Sequence, residues 1–168
     1  GYSLPEWDEL PDIELYMDQV ITLISKYLSL YHKVSNTEKS VTPSMINNYV
    51  KLKTIPAPVK KRYSKVHLAY LLIVCTLKQT LDMSTIQKIV PVGLTEDEIK
   101  RVYTSFARNQ KKAFDYVSES IKSLAAPILG DENTNEDIGD VIMQVSASAN
   151  FYKIMTEKIT DMSSEDKD

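Results

Sequence analysis

The chain reads as an all-α fold with a small β-hairpin wing, and three observations predict that class. Apolar residues recur at helical spacing along most of the 168 residues. Only four glycines occur, and none sits in a G-x-G-x-x-G or G-x-x-x-x-G-K pattern, which argues against a Rossmann or P-loop site. The proline-bracketed break from Ile55 to Tyr63 has the length of a turn or short hairpin between two helical stretches.

After a leader marked by prolines, SLPEWDELPD, with Trp7 expected to tuck against the body, Leu15, Val20, Leu23, Ile24, Tyr27, Leu28 and Tyr31 predict a first helix over residues 12–32. The polar run KVSNTEKS reads as a loop. Thr42 and Pro43 stand as N-cap and first residue of a second helix running to about residue 53, and Pro56 and Pro58 forbid its continuation. Ser64 caps a third, mostly buried helix through residue 81. Asp82 caps a short fourth one carrying Met83, Ile86 and Ile89.

Pro91 and Gly93 mark a change of character, so the expected organisation is a domain over residues 1–92 and a helical one over 93–168. Thr95 with Glu98 forms a capping box opening a long helix that should stop near Pro127. Beyond the loop LGDENTN, positions 138, 141, 145, 148, 152, 155, 159 and 162 alternate gaps of three and four, and only Ser148 interrupts the apolar seam. That pattern predicts a helical hairpin, packed within the chain or across a homodimer.

Little in the sequence supports catalysis. The single cysteine, Cys75, lies inside LAYLLIVCTL, where a buried small hydrophobe is the natural role; it excludes an intramolecular disulfide and fits a reducing cytoplasm. The same ten-residue run is about half of what a membrane span needs. The segment from Asp131 to Asn135 imitates the start of a calcium loop, but Glu136 stands where the sixth-position glycine belongs and Ile142 where the twelfth-position glutamate belongs. His32 and His67 lack metal-ligand spacing. No metal, no cofactor, no membrane and no enzymatic role are expected.

The charge distribution is more telling. Formal net charge is -3, yet residues 39–81 hold eight Lys or Arg (39, 51, 53, 60, 61, 62, 65 and 78) and no Asp or Glu, leaving 12 basic and 23 acidic residues elsewhere. On the second helix Met45, Ile46, Tyr49, Val50 and Leu52 fall on one face, so Ser44, Asn47, Asn48 and Lys51 are left on the other. A carboxamide can bond adenine N6 and N7 together, and lysine neutralises phosphate, so this face suits double-stranded DNA. Lys60, Lys61, Arg62 and Tyr63 follow directly. Thr42, Lys65 and His67, in the flanking turns, complete the candidate contact set.

Residues 42–90 resemble the winged helix-turn-helix of MerR-type transcription regulators: Ile46 and Tyr49 in the recognition helix, Ile55-Pro56 at its exit, Arg62-Tyr63 closing the wing, then Leu68, Leu71, Leu77 and Met83-x-x-Ile86. The longer pattern LPEWDELPDIELYMDQV, with MINNYVKLK and KKRYSKVHLAYL, resembles a bacterial family known as domain of unknown function 1836. The regulator resemblance implies that the helix from residue 42 enters the major groove and that Arg62 and Tyr63 hold phosphates. Lys53 and Thr54 depart from the Gly-Leu usual in those regulators, and the first helix is longer and followed by a nine-residue loop. The expectation is a MerR-like winged helix-turn-helix DNA-binding regulator of the cytoplasm, homodimeric through a C-terminal helical hairpin. The alternative is a helical protein-interaction module whose basic face docks an acidic partner.

Overall fold

A computed structural model describes residues 2–30, 41–129 and 135–165. The loop over residues 33–40, the end of the first helix with His32, Lys39, and most of the calcium-like loop lie outside them. The chain divides into two compact units, residues 1–112 and 113–168. The division falls inside a long helix whose Ile99 and Tyr103 are fully buried in the core of the first unit.

In the first unit the leader packs through Leu4, Trp7, Leu10 and Leu15, all buried. Its 3-10 turn, Trp7–Glu9, is closed by the Glu6 N–H donating to Glu9 Oε2 at 2.7 Å. Helix α1, Met17–Tyr27, starts later than the apolar periodicity suggests, because Leu15 is held in extended pairing with Tyr63. It buries Val20 and Ile24 and packs on α2, Pro43–Lys51, and on α3, Lys65–Leu77. Thr42 caps α2 as expected, accepting from the Met45 N–H at 3.2 Å. Helix α3 is buried without interruption from His67 to Thr76, which is why its sequence shows an apolar run and not a stripe. It ends at Leu77, short of the expected residue 81, and a turn carries the chain to Asp82.

Asp82 caps α4, Met83–Ile89, through Oδ1 and the Thr85 N–H at 2.8 Å. Gln87 on α4 then donates to the Leu52 carbonyl at 2.7 Å and to Thr54 Oγ1 at 3.1 Å, tying α4 to the exit of α2. The expected capping box opens α5, Glu96–Ala125: the Thr95 N–H donates to Glu98 Oε2 at 2.8 Å and the Glu98 N–H to Thr95 Oγ1 at 3.3 Å. Tyr103 anchors the leader by donating to the Pro5 carbonyl at 2.8 Å.

The second unit holds the end of α5, a 3-10 turn at Ala126–Leu129, and α6, Asn135–Glu165. Tyr152 on α6 is hydrogen-bonded to Tyr116 on α5, which favours its protonated form. Of the expected seam only Val141 and Val145 are half-buried; Ile138, Tyr152, Met155, Ile159 and Met162 stay 43–68% exposed within a single chain.

The fold is helical, and no sheet forms among the described residues. The expected β-hairpin wing is reduced to a two-residue turn, with Val59 and Arg62 exchanging N–H···O bonds of 3.0 and 2.9 Å. The next hydrogen-bonded pair in register would be Ala57 with Ser64, but the Ala57 carbonyl accepts from His67 Nε2 and the Ser64 N–H donates to His67 Nδ1, so no ladder extends past Val59. Tyr63 instead pairs with Leu15 of the leader through two bonds of 2.8 Å.

Candidate nucleic-acid interface

Helix α2 is placed by Ile46 and Tyr49, both buried, and this leaves Ser44, Asn47, Asn48 and Lys51 exposed together, as amphipathic spacing dictates. Thr42 is also exposed, with its hydroxyl engaged at the cap. The helix ends in a Schellman arrangement: the Lys53 N–H donates to the Val50 carbonyl at 3.0 Å and the Thr54 N–H to the Tyr49 carbonyl at 2.9 Å, with Lys53 left-handed at φ 55°. Lysine thus takes the position glycine normally fills.

The next turn repeats the feature. Lys60 and Lys61 have φ of 49° and 63°, the pair of positive values that a type I′ turn requires and that Asn-Gly supplies most readily. Among the described residues these three lysines are the non-glycine positions with left-handed backbone. Each conformation costs about 1 kcal/mol or more relative to glycine. All three side chains are exposed.

Three further cations of the window are engaged. Arg62 pairs with Glu14 at 3.2 Å and lies 5.3 Å from the Tyr16 ring centroid. Lys65, half-buried, sits 5.6 Å from the Trp7 ring centroid. Lys78 donates to the buried Tyr49 hydroxyl at 2.7 Å. The leader residues Glu14, Tyr16 and Trp7 thus engage two of the expected phosphate contacts, which no local pattern in the basic window signals. Lys51, Lys53, Lys60 and Lys61 make no ion pair among the described residues. Lys53 lies outside the expected contact set; its one signal in the sequence is that a cation stands at a helix C-cap.

Two residues of the expected contact set, Tyr63 and His67, are buried. Tyr63 is 2% exposed and packs edge-on against His67, with centroids 5.4 Å apart. His67 is 6% exposed, and both ring nitrogens are engaged: Nδ1 accepts from the Ser64 N–H at 3.0 Å, so Nε2 carries the proton and donates to the Ala57 carbonyl at 3.0 Å. Both residues belong to the core that supports the turn, and neither presents its ring to a ligand.

Cys75 is buried, and burial pushes its thiol up to about 12, which removes it as a nucleophile near neutral pH. Among the described residues no cluster of His, Cys, Asp or Glu could hold a metal ion, and no helix is long and apolar enough to cross a membrane.

No curated protein and no solved structure matches the chain. A family model does match, over residues 5–106, which takes in the leader, α1 to α4 and the start of α5 with Ile99 and Tyr103. That span coincides closely with the first compact unit, and it covers well over half of the chain: the chain belongs to the family described as domain of unknown function DUF1836.

Proposed function

We propose that the first unit binds double-stranded DNA and acts in transcription regulation, in the manner of a MerR-like helix-turn-helix, with α2 as the reading helix. One observation carries this reading. Four exposed lysines, without an ion pair among the described residues, flank the exposed Asn47 and Asn48, and three of them are held in backbone conformations that glycine or asparagine would adopt at lower free energy. Charge at these positions accounts for residues that local stability disfavours. In this reading Lys51, Lys53, Lys60 and Lys61 neutralise phosphates, the Lys60-Lys61 turn takes the place of a wing, and the two carboxamides discriminate between bases.

Fluorescence anisotropy of the full chain on a selected duplex and on a scrambled one, each at two salt concentrations, tests it. Binding that weakens steeply with salt and prefers the selected duplex is expected. A chain that ignores duplex DNA at low salt but captures an acidic protein would replace this reading with a protein-docking role.

A further inference from the structure

Helix α6 presents an apolar stripe that its own chain does not cover. The side chains of α6 half-buried within the second unit, Val141, Val145, Thr156 and Thr160, gather on one side of the helix. At 3.6 residues per turn, Met143, Ala147, Phe151 and Met155 centre roughly 150° away from them. Met143, Phe151 and Met155 are 62%, 64% and 51% exposed. Asp140 and Lys158 end this stripe, exposed and without an ion pair among the described residues.

From Asp140 to Lys158 the stripe advances by three, four, four, four and three residues, so its spacing reads the same in both directions. We infer that α6 pairs antiparallel with α6 of a second copy of this chain, about a two-fold axis midway between Ala147 and Phe151. Asp140 then faces Lys158 of the second copy, Met143 faces Met155, and Ala147 faces Phe151, each contact occurring twice, as an isologous interface requires. The chemistry matches at every step: opposite charges at the ends, thioether against thioether, and a small side chain opposite a large one. The paired length is about 27 Å. No residue from Val141 to Tyr152 is charged, so the centre of the seam meets no like-charge penalty. The pairing uses the second unit alone and does not rest on DNA binding by the first.

Sedimentation of the full chain measures it. A dimer is expected for the wild type. Asp140→Lys alone and Lys158→Asp alone should each weaken self-association about tenfold or more, since each places like charges opposite one another twice. The double exchange should restore it, with helicity by circular dichroism unchanged throughout. As a second measurement, chains carrying Asp140→Cys mixed with chains carrying Lys158→Cys should cross-link under oxidation, and neither should cross-link alone. A monomer at all concentrations, single reversals without effect, or a double exchange that fails to rescue would each overturn the antiparallel pairing.

Discussion

Lys78 Nζ, at the C-cap of α3, donates to the buried hydroxyl of Tyr49 on α2 at 2.7 Å, with the ammonium 5.2 Å from the ring centroid. One of the eight cations of the acid-free window is thereby a strut between two helices. Burial raises the Tyr49 hydroxyl well above its ordinary range, so it stays protonated as the acceptor. Tyr49→Phe should destabilise the first unit by about 1–3 kcal/mol, the range for leaving a partly buried donor without its acceptor. Urea denaturation checks the loss. Lys78→Met should also lower stability, while the salt dependence of DNA binding stays that of the wild type.

Lys60→Asn with Lys61→Gly should do the opposite. Asn-Gly is the preferred pair for the type I′ turn, so the doubly substituted chain should gain about 1–2 kcal/mol in urea denaturation. Its affinity for any duplex should fall, and the log-log salt slope should flatten by about 0.9 for each phosphate that is no longer neutralised. A variant that is more stable and equally tight on DNA would remove these lysines from the interface.

Asn47→Ala or Asn48→Ala addresses discrimination. If a bidentate adenine contact is made, the loss should be about 1–3 kcal/mol on the selected duplex and much smaller on the scrambled one. Equal losses on both would mean that α2 does not read bases.

Acid should weaken the first unit through its helix caps. Asp82 is held below its ordinary range chiefly by the Thr85 N–H, then by the Ser84 and Thr85 hydroxyls, and Glu98 chiefly by the Thr95 N–H, then by the Thr95 hydroxyl. Both folded values lie below the unfolded ones. Their stabilisation is therefore complete above the unfolded carboxylate range and is lost as pH falls through the lowered folded values. Melting temperatures measured from about pH 6 down to about pH 2 should decline less in Asp82→Asn with Glu98→Gln than in the wild type, because those two proton-linked contributions are gone.

The expectations that the structure bears out are those decided within a few residues of chain. Thr42, Ser64, Asp82 and Thr95 each open a helix, because an N-cap needs only the next three residues to show itself. The exposed face of α2 follows in the same way from the spacing of Ile46 and Tyr49.

Contacts between distant segments depended instead on the fold as a whole. Tyr63 and His67 lie in a basic stretch that reads as surface, yet they point inward because Leu15 pairs with one and the Ala57 carbonyl accepts from the other. Arg62 and Lys65 are occupied by Glu14, Tyr16 and Trp7 from the far end of the first unit's sequence. The left-handed lysines are not legible in the sequence because nothing about a lysine announces positive φ; only closure of the α2 cap and of the Val59 to Arg62 turn imposes it. Residue order alone was enough to establish a helical chain strongly polarised in charge. Which cations stand free in solvent was settled by long-range packing, since a charge is left exposed only where no distant segment folds back to meet it.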